Sequence, residues 1–225
     1  FHWRTAYFVG GGMGLLLLFL RIGVYDSGMF DAIKSKEVKR GNFSTIFKSS
    51  TSALKYLGCI LIGVPIWFVI GILITFSPEF GKALGMTVAP DPGKAVMFAY
   101  IGLALGDLVS GSLAQFLKSR KKIAFSFMLL TSVFIATYLT HRTPSMGLFY
   151  ANCLALGFAT GYWAVFVTIA AEQFGTNIRA TVATTVPNFV RGGVVPLTVA
   201  FQFLKPHAGI LGSAAWVAAA CLLLS

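Results

Sequence analysis

Apolar and polar residues in this chain come in long blocks, without short-period alternation. Seven apolar runs can be placed with charges as their edges: about 6–23, 56–77, 95–117, 123–140, 146–171, 180–203, and one that starts near 209. At about 1.5 Å per residue, the first six are long enough to cross a hydrocarbon core, and each predicts a helix. Pro65 predicts a kink or break in the second. Residues 78–93, with Pro78, Gly81, Gly85, Pro90, Pro92 and Gly93, read as a turn-rich loop. Residues 34–40 carry four of the basic residues in one polar stretch and read as a hydrated loop or surface helix, with lipid headgroups as a weaker alternative partner.

Composition turns this pattern into a class. Of 225 residues, 56% are hydrophobic and only 11% charged, and mean hydropathy is +0.80. A soluble domain carries about a quarter charged residues. The chain therefore reads as an all-α, multi-pass integral membrane protein, a transmembrane helical bundle in contact with the lipid bilayer. Its net charge of +11 does not point to nucleic acid, because the basic residues sit between apolar runs. With the first run ending in the cytoplasm, twelve lysines and arginines fall on that side and five on the other, with Arg191 left inside a run. Cys59, Cys153 and Cys221 all lie in apolar runs and read as buried thiols. No metal-ligand spacing, phosphate-cradling loop or nucleophile–base pair is present, so neither a cofactor nor an enzyme is expected. The start at Phe1 and an unflanked last run read as a piece of a longer protein.

Against this background the charges inside the runs stand out. Between Lys94 and Lys118 lie 23 residues with one charge, Asp107, near the middle. A carboxylate at that depth is costly and is either permanently paired or a proton or substrate site. Gly102, Gly106, Ser110 and Ala114 recur every four residues beside it, a small-residue ridge that admits another helix closely. In the sixth run Thr181, Thr184, Asn188, Arg191, Thr198 and Gln202 fall within one sector of about 100° on a helical wheel. Such a stripe either lines an aqueous or protein-filled path or bonds helices together. Arg191 lies at the depth of Asp107 and is the natural counter-charge for it or for an anionic solute. By the same arithmetic Asn152 and Trp163 share a face of the fifth run, where Trp163 would stack on a ligand or simply pack. Asp107, Arg191, Asn188, Thr184, Trp163 and Asn152 are the candidate substrate and coupling residues.

At the inward ends of the runs the sequence resembles the major facilitator superfamily. Gly111-Ser-Leu-Ala-Gln-Phe-Leu-Lys-Ser-Arg120-Lys-Lys122 is similar to that family's loop motif, with Gln115 at the place of its acid and a spacing one residue longer. Glu172-Gln-Phe-Gly-Thr-Asn-Ile-Arg179 resembles the acid–arginine segment after the tenth helix of sugar and organic-acid porters, with Gly175 where proline is common, and Trp3-Arg4 suits the start of a sixth helix. The resemblance implies the second half of a twelve-helix transporter fold. Residues 1–23 would be the last helix of the N-terminal bundle, 24–54 a cytoplasmic inter-bundle linker, and 55–225 a C-terminal six-helix bundle. Glu172, Arg179, Arg120, Lys121 and Lys122 would form a cytoplasmic gate. The function implied is symport of a small organic solute, an organic anion or a sugar, across the cell membrane by alternating access, with protons as a coupling ion. Seven runs alone also fit a seven-span receptor or photoreceptor, although the last run lacks the lysine a retinal protein needs; a passive channel is the third reading.

Overall fold

A computed structural model of the chain describes residues 3–22, 41–140 and 145–225, and these are helical with short connections. The expected surface segment at residues 34–40 lies outside the described residues. The chain divides into two compact units, Phe1–Arg40 and Gly41–Ser225. Within the first, α1 (Trp3–Arg21) is the expected first span. Residues 41–54, assigned to the linker by sequence, belong to the second unit. There a 3₁₀ turn (Phe43–Lys48), capped by the Asn42 side chain on the Ser44 N–H at 3.1 Å, buries Ile46 completely.

The second unit is built from α2 (Ser50–Phe68), α3 (Ser77–Ala83), α4 (Pro92–Phe116), α5 (Arg120–Thr140), α6 (Met146–Thr160), α7 (Trp163–Glu172), α8 (Arg179–Gly192) and α9 (Val194–Leu224). Pro65 does not end α2. It lacks the N–H that would bond the Leu61 carbonyl, and the Ser225 hydroxyl donates to that carbonyl at 2.8 Å instead. Beyond Phe68 the chain widens into a π segment, Val69–Ile74. The Tyr138 hydroxyl donates to the Leu73 carbonyl there at 3.0 Å, and Thr75 to that of Ile70 at 2.8 Å. The expected loop 78–93 starts with a helix, α3, because Pro78 stands in its first turn and Phe80 is drawn fully into the core.

Among the described residues six helical stretches are long and apolar enough to cross a membrane, and the last of them, Arg179–Leu224, spans 46 residues. At about 1.5 Å per residue that is roughly 69 Å, twice a hydrocarbon core. Two contacts show that it folds back. Lys205 pairs with Glu79, which lies beyond the far end of α2, whereas Ser225 reaches Leu61 in the middle of α2. The reversal falls at Gly209, whose φ of 67° and ψ of 174° interrupt the helix; the positive φ suits glycine. Large apolar side chains such as Leu108, Leu129, Val199 and Trp216 are exposed around the bundle. Apolar surface of this extent, on helices of this length, makes the chain an integral membrane protein.

The most extensive helix pairing is α4 with α6. The ridge expected on α4 is buried: Gly102, Gly106, Ser110 and Ala114 all face inward. A Cβ at Gly102 would overlap the Leu154 carbonyl oxygen, and one at Gly157 would overlap that of Ala99. Backbones approach here so closely that only glycine fits. Thr131 adds a bond between helices, its hydroxyl reaching the Ala159 carbonyl at 3.0 Å. Two apolar clusters complete the core, one around Phe68, Phe80, Tyr138 and Phe201, the other around Tyr56, Tyr162, Phe166 and Val190.

Candidate functional site

The site begins at a break that sequence arithmetic did not anticipate. The expected fifth span, 146–171, is two helices, α6 and α7, separated at Gly161 and Tyr162. Gly161 packs against the backbone of Gly106 and Asp107, where no side chain fits. Tyr162, fully buried, donates its hydroxyl to the Ile62 carbonyl at 3.0 Å. The break leaves the first N–H groups of α7 without intrahelical partners, and its N-cap residue Tyr162 supplies no side-chain cap.

Asp107 supplies that cap from a neighbouring helix. Its Oδ1 accepts the Ala164 N–H at 3.0 Å. A carboxylate at a helix N-terminus meets both an unpaired donor and the positive end of the helix dipole. The half-buried Asp107 is thus held by α7, and the ion pair expected with Arg191 is not formed. Among the described residues the ion pairs are Arg120–Glu172 and Lys205–Glu79.

Arg191 approaches the same break from the other side. Its guanidinium carbon lies 5.5 Å from the Trp163 ring centre and 5.7 Å from that of Trp67. The two indoles meet edge to face at 6.1 Å. Cation–π contact holds the guanidinium by its faces and leaves its N–H edge open; Arg191 is exposed and donates to no described residue. The Trp67 Nε1 is buried without an acceptor among the described residues. Asp107 and Arg191 are therefore joined through Trp163–Ala164, the first turn of α7, one on its backbone and the other on its ring.

The remaining candidates divide. Asn188, one turn before Arg191, is exposed on the polar side of α8, whose other side buries Val182, Val186 and Val190. Thr184 is on that polar side too, but its hydroxyl is spent on the Ala180 and Thr181 carbonyls, each at 3.0 Å. The hydroxyl that bonds between helices is that of Thr185, which accepts from Tyr56 at 2.7 Å. Asn152 does not join the cluster. It precedes Trp163 by eleven residues, about 16 Å along a helix, and the break destroys the common face that a continuous helix would have given them.

At the basic end Glu172 pairs with Arg120, not with Arg179. This ties the end of α7 to the start of α5. Both side chains are about half exposed, so the pair adds at most about 1 kcal/mol and serves as a contact to be made or broken. The Arg179 Nε is buried without a partner among the described residues. Lys121 and Lys122 begin α5 as exposed cations. A cavity of about 550 Å³ surrounds the Arg120–Glu172 pair. A narrower crevice of about 210 Å³ continues between α4 and α7, from Arg120 past Gln115 and Thr168 to Ala164. Ala164, whose N–H Asp107 caps, is one of its lining residues.

The cap makes a graded prediction. Asp107→Asn keeps an acceptor oxygen, so its apparent melting temperature should stay within about 2 °C of the parent. Asp107→Ala leaves the Ala164 N–H open, and loss of a cap, about 1 kcal/mol, should lower melting by about 2–4 °C for a chain of this size. Thermal unfolding of the purified variants decides it; equal melting of both variants and the parent would remove Asp107 from the cap. Comparison of the chain with protein-family models, curated proteins and solved structures finds no match in any of the three.

Proposed function

We propose that the chain is the C-terminal part of a secondary active transporter resembling the major facilitator superfamily, its helices from α1 onward corresponding to the sixth to twelfth of a twelve-helix fold in the cell membrane. The substrate is a small organic anion, and alternating access moves it. The observation that carries the reading is the interrupted membrane helix α6–α7, with an acid on its exposed backbone and an arginine on its first side chain. Broken helices near the bilayer midplane, with half-helix N-termini turned to anionic groups, are a recurrent way to build a solute site in transporters. A glue role alone explains neither the open guanidinium edge nor the placement of a carboxylate at the break.

In this reading Arg191 receives the anionic group, with Asn188 beside it and the Trp163 ring as a stacking wall. Asp107 is the coupling residue. Proton binding to it weakens the cap on α7 and so loosens the turn that carries Trp163, which links proton and solute through one segment. The crevice from Arg120 to Ala164 is the path by which the basic, cytoplasmic end communicates with Asp107. The Arg120–Glu172 contact closes that end and opens as the bundle rocks.

A panel of monocarboxylates, dicarboxylates, phosphorylated sugars and neutral hexoses, scored by thermal stabilisation of the full-length protein, tests the substrate class. A bound solute at about 100 times its Kd stabilises by about 2.7 kcal/mol, which reads as a rise in melting temperature. The expected hits carry a carboxylate or phosphate. Stabilisation by neutral hexoses alone would contradict the anion reading.

A further inference from the structure

The cavity of about 550 Å³ around the Arg120–Glu172 pair has the size of a small-metabolite site. Its nine lining residues all lie between positions 114 and 173, at the facing ends of α4, α5 and α7 and in the α4–α5 connection. Only Ala114 and Ile169 among them are apolar. Three are cations, Lys118, Arg120 and Lys121, against one acid, Glu172. That acid is taken by Arg120, and the two lysines pair with no acid among the described residues. Lys118 is also held at a φ of 50°, a left-handed conformation uncommon outside glycine. The turn after α4 thus carries a charge at the position where a helix end usually has glycine. Like charges converging on one polar cavity repel one another, and an anion relieves that repulsion.

We propose that this cavity binds a small phosphorylated metabolite, its phosphate held among Lys118, Arg120 and Lys121. Charge and lining both select this occupant. Three cations suit a phosphate dianion, which the forked Arg120 guanidinium can grip by two N–H groups. A phosphate alone would leave most of the volume unfilled, and the remaining walls, Gln115 among them, are polar. They suit the hydroxyl-bearing body of a sugar phosphate and offer no trough for the acyl chain of a lipid. Arg120 gives the site its consequence. Its one N–H edge cannot serve Glu172 and a phosphate alike, so occupancy releases Glu172 and parts the end of α7 from the start of α5. In the proposed transport cycle this opens the contact that closes the basic end, so the ligand acts as an effector of that gate. The binding itself does not depend on that cycle.

The test is titration of the full-length Arg191→Ala protein with glucose 6-phosphate, by calorimetry at low ionic strength, where exposed charges are least screened. This background lacks the guanidinium of the proposed solute site and so separates the two sites. One glucose 6-phosphate should bind, and glucose should not. Lys118→Gln with Lys121→Gln should weaken binding by about tenfold or more, the loss of two contacts to a charged group. Both side chains are exposed, so the fold tolerates the change, and the double arginine variant should keep the affinity. Glu172→Gln should tighten binding by up to about fivefold, because it removes a competitor for Arg120 and a like charge. An ion pair that only joins two helices would give no such gain. Unchanged binding in the glutamine variant, weaker binding in Glu172→Gln, or displacement of glucose 6-phosphate by equimolar phosphatidylglycerol would each overturn the assignment. Absence of binding to the Arg191→Ala protein would overturn it too, and binding by the parent alone would then leave the solute site at Arg191 standing.

Discussion

Arg191→Ala should lower the affinity of the full-length protein for its anionic solute by about thirtyfold or more while leaving its folding intact. Truncating one partner of a desolvated, hydrogen-bonded charge pair costs about 2–5 kcal/mol, and about 2 kcal/mol already corresponds to thirtyfold. The same change removes little from the bundle, because Arg191 is exposed and its protein contacts are the two ring faces of Trp67 and Trp163. Arg191→Lys is the informative control. An ammonium keeps the charge but loses the planar stack and the forked N–H edge, so it should recover only part of the affinity. The readout is the solute-dependent rise in melting temperature. A full rise in Arg191→Ala would place the solute elsewhere.

Gly157→Leu should have the largest effect on the fold itself. A Cβ at this position overlaps the Ala99 carbonyl oxygen and crowds the Ala99 Cα. That neighbour is backbone, so no rotamer change relieves the clash and α4 and α6 must separate. Overpacking costs about 1–3 kcal/mol where side chains can adjust; here it should exceed that range and abolish the monodisperse, folded protein in detergent. Gly111→Ala is the matched control on α4, since a Cβ there meets nothing within 4 Å. Gel filtration of the two variants compares them directly, and a folded Gly157→Leu protein would refute the close approach.

These two residues also show what a reader of the sequence could and could not see. The four-residue spacing of Gly102, Gly106, Ser110 and Ala114 declares a ridge, because small residues in a membrane helix have few reasons to be periodic other than close packing. Blocks of apolar residues likewise declare the spans. The break at Gly161–Tyr162 was hidden, since threonine, glycine and tyrosine are all ordinary in a membrane helix and no proline marks the interruption. Hence Asp107 was matched to the one visible mid-span cation, when its partner is a backbone N–H that no residue letter records. Trp67 was hidden in the same way, as one more large residue in an apolar run. Tyr56 and Thr185 bond to each other across 129 positions of sequence, a pairing that helical periodicity alone does not give. Glu172, Arg179 and Arg120 were all singled out as one gate, but which arginine pairs with Glu172 depends on the fold, which brings the start of α5 to it.

The central claim is carrier transport through the Asp107–α7–Arg191 cluster, and solute counterflow tests it most directly. The full-length protein, reconstituted in vesicles preloaded with unlabelled solute chosen from the stabilisation panel, should take up labelled solute transiently and saturably. Arg191→Ala should lose that uptake, and Asp107→Asn should retain exchange while losing acceleration by a proton gradient. Flux that rises linearly with concentration, shows no counterflow and is the same in all three proteins would contradict the account.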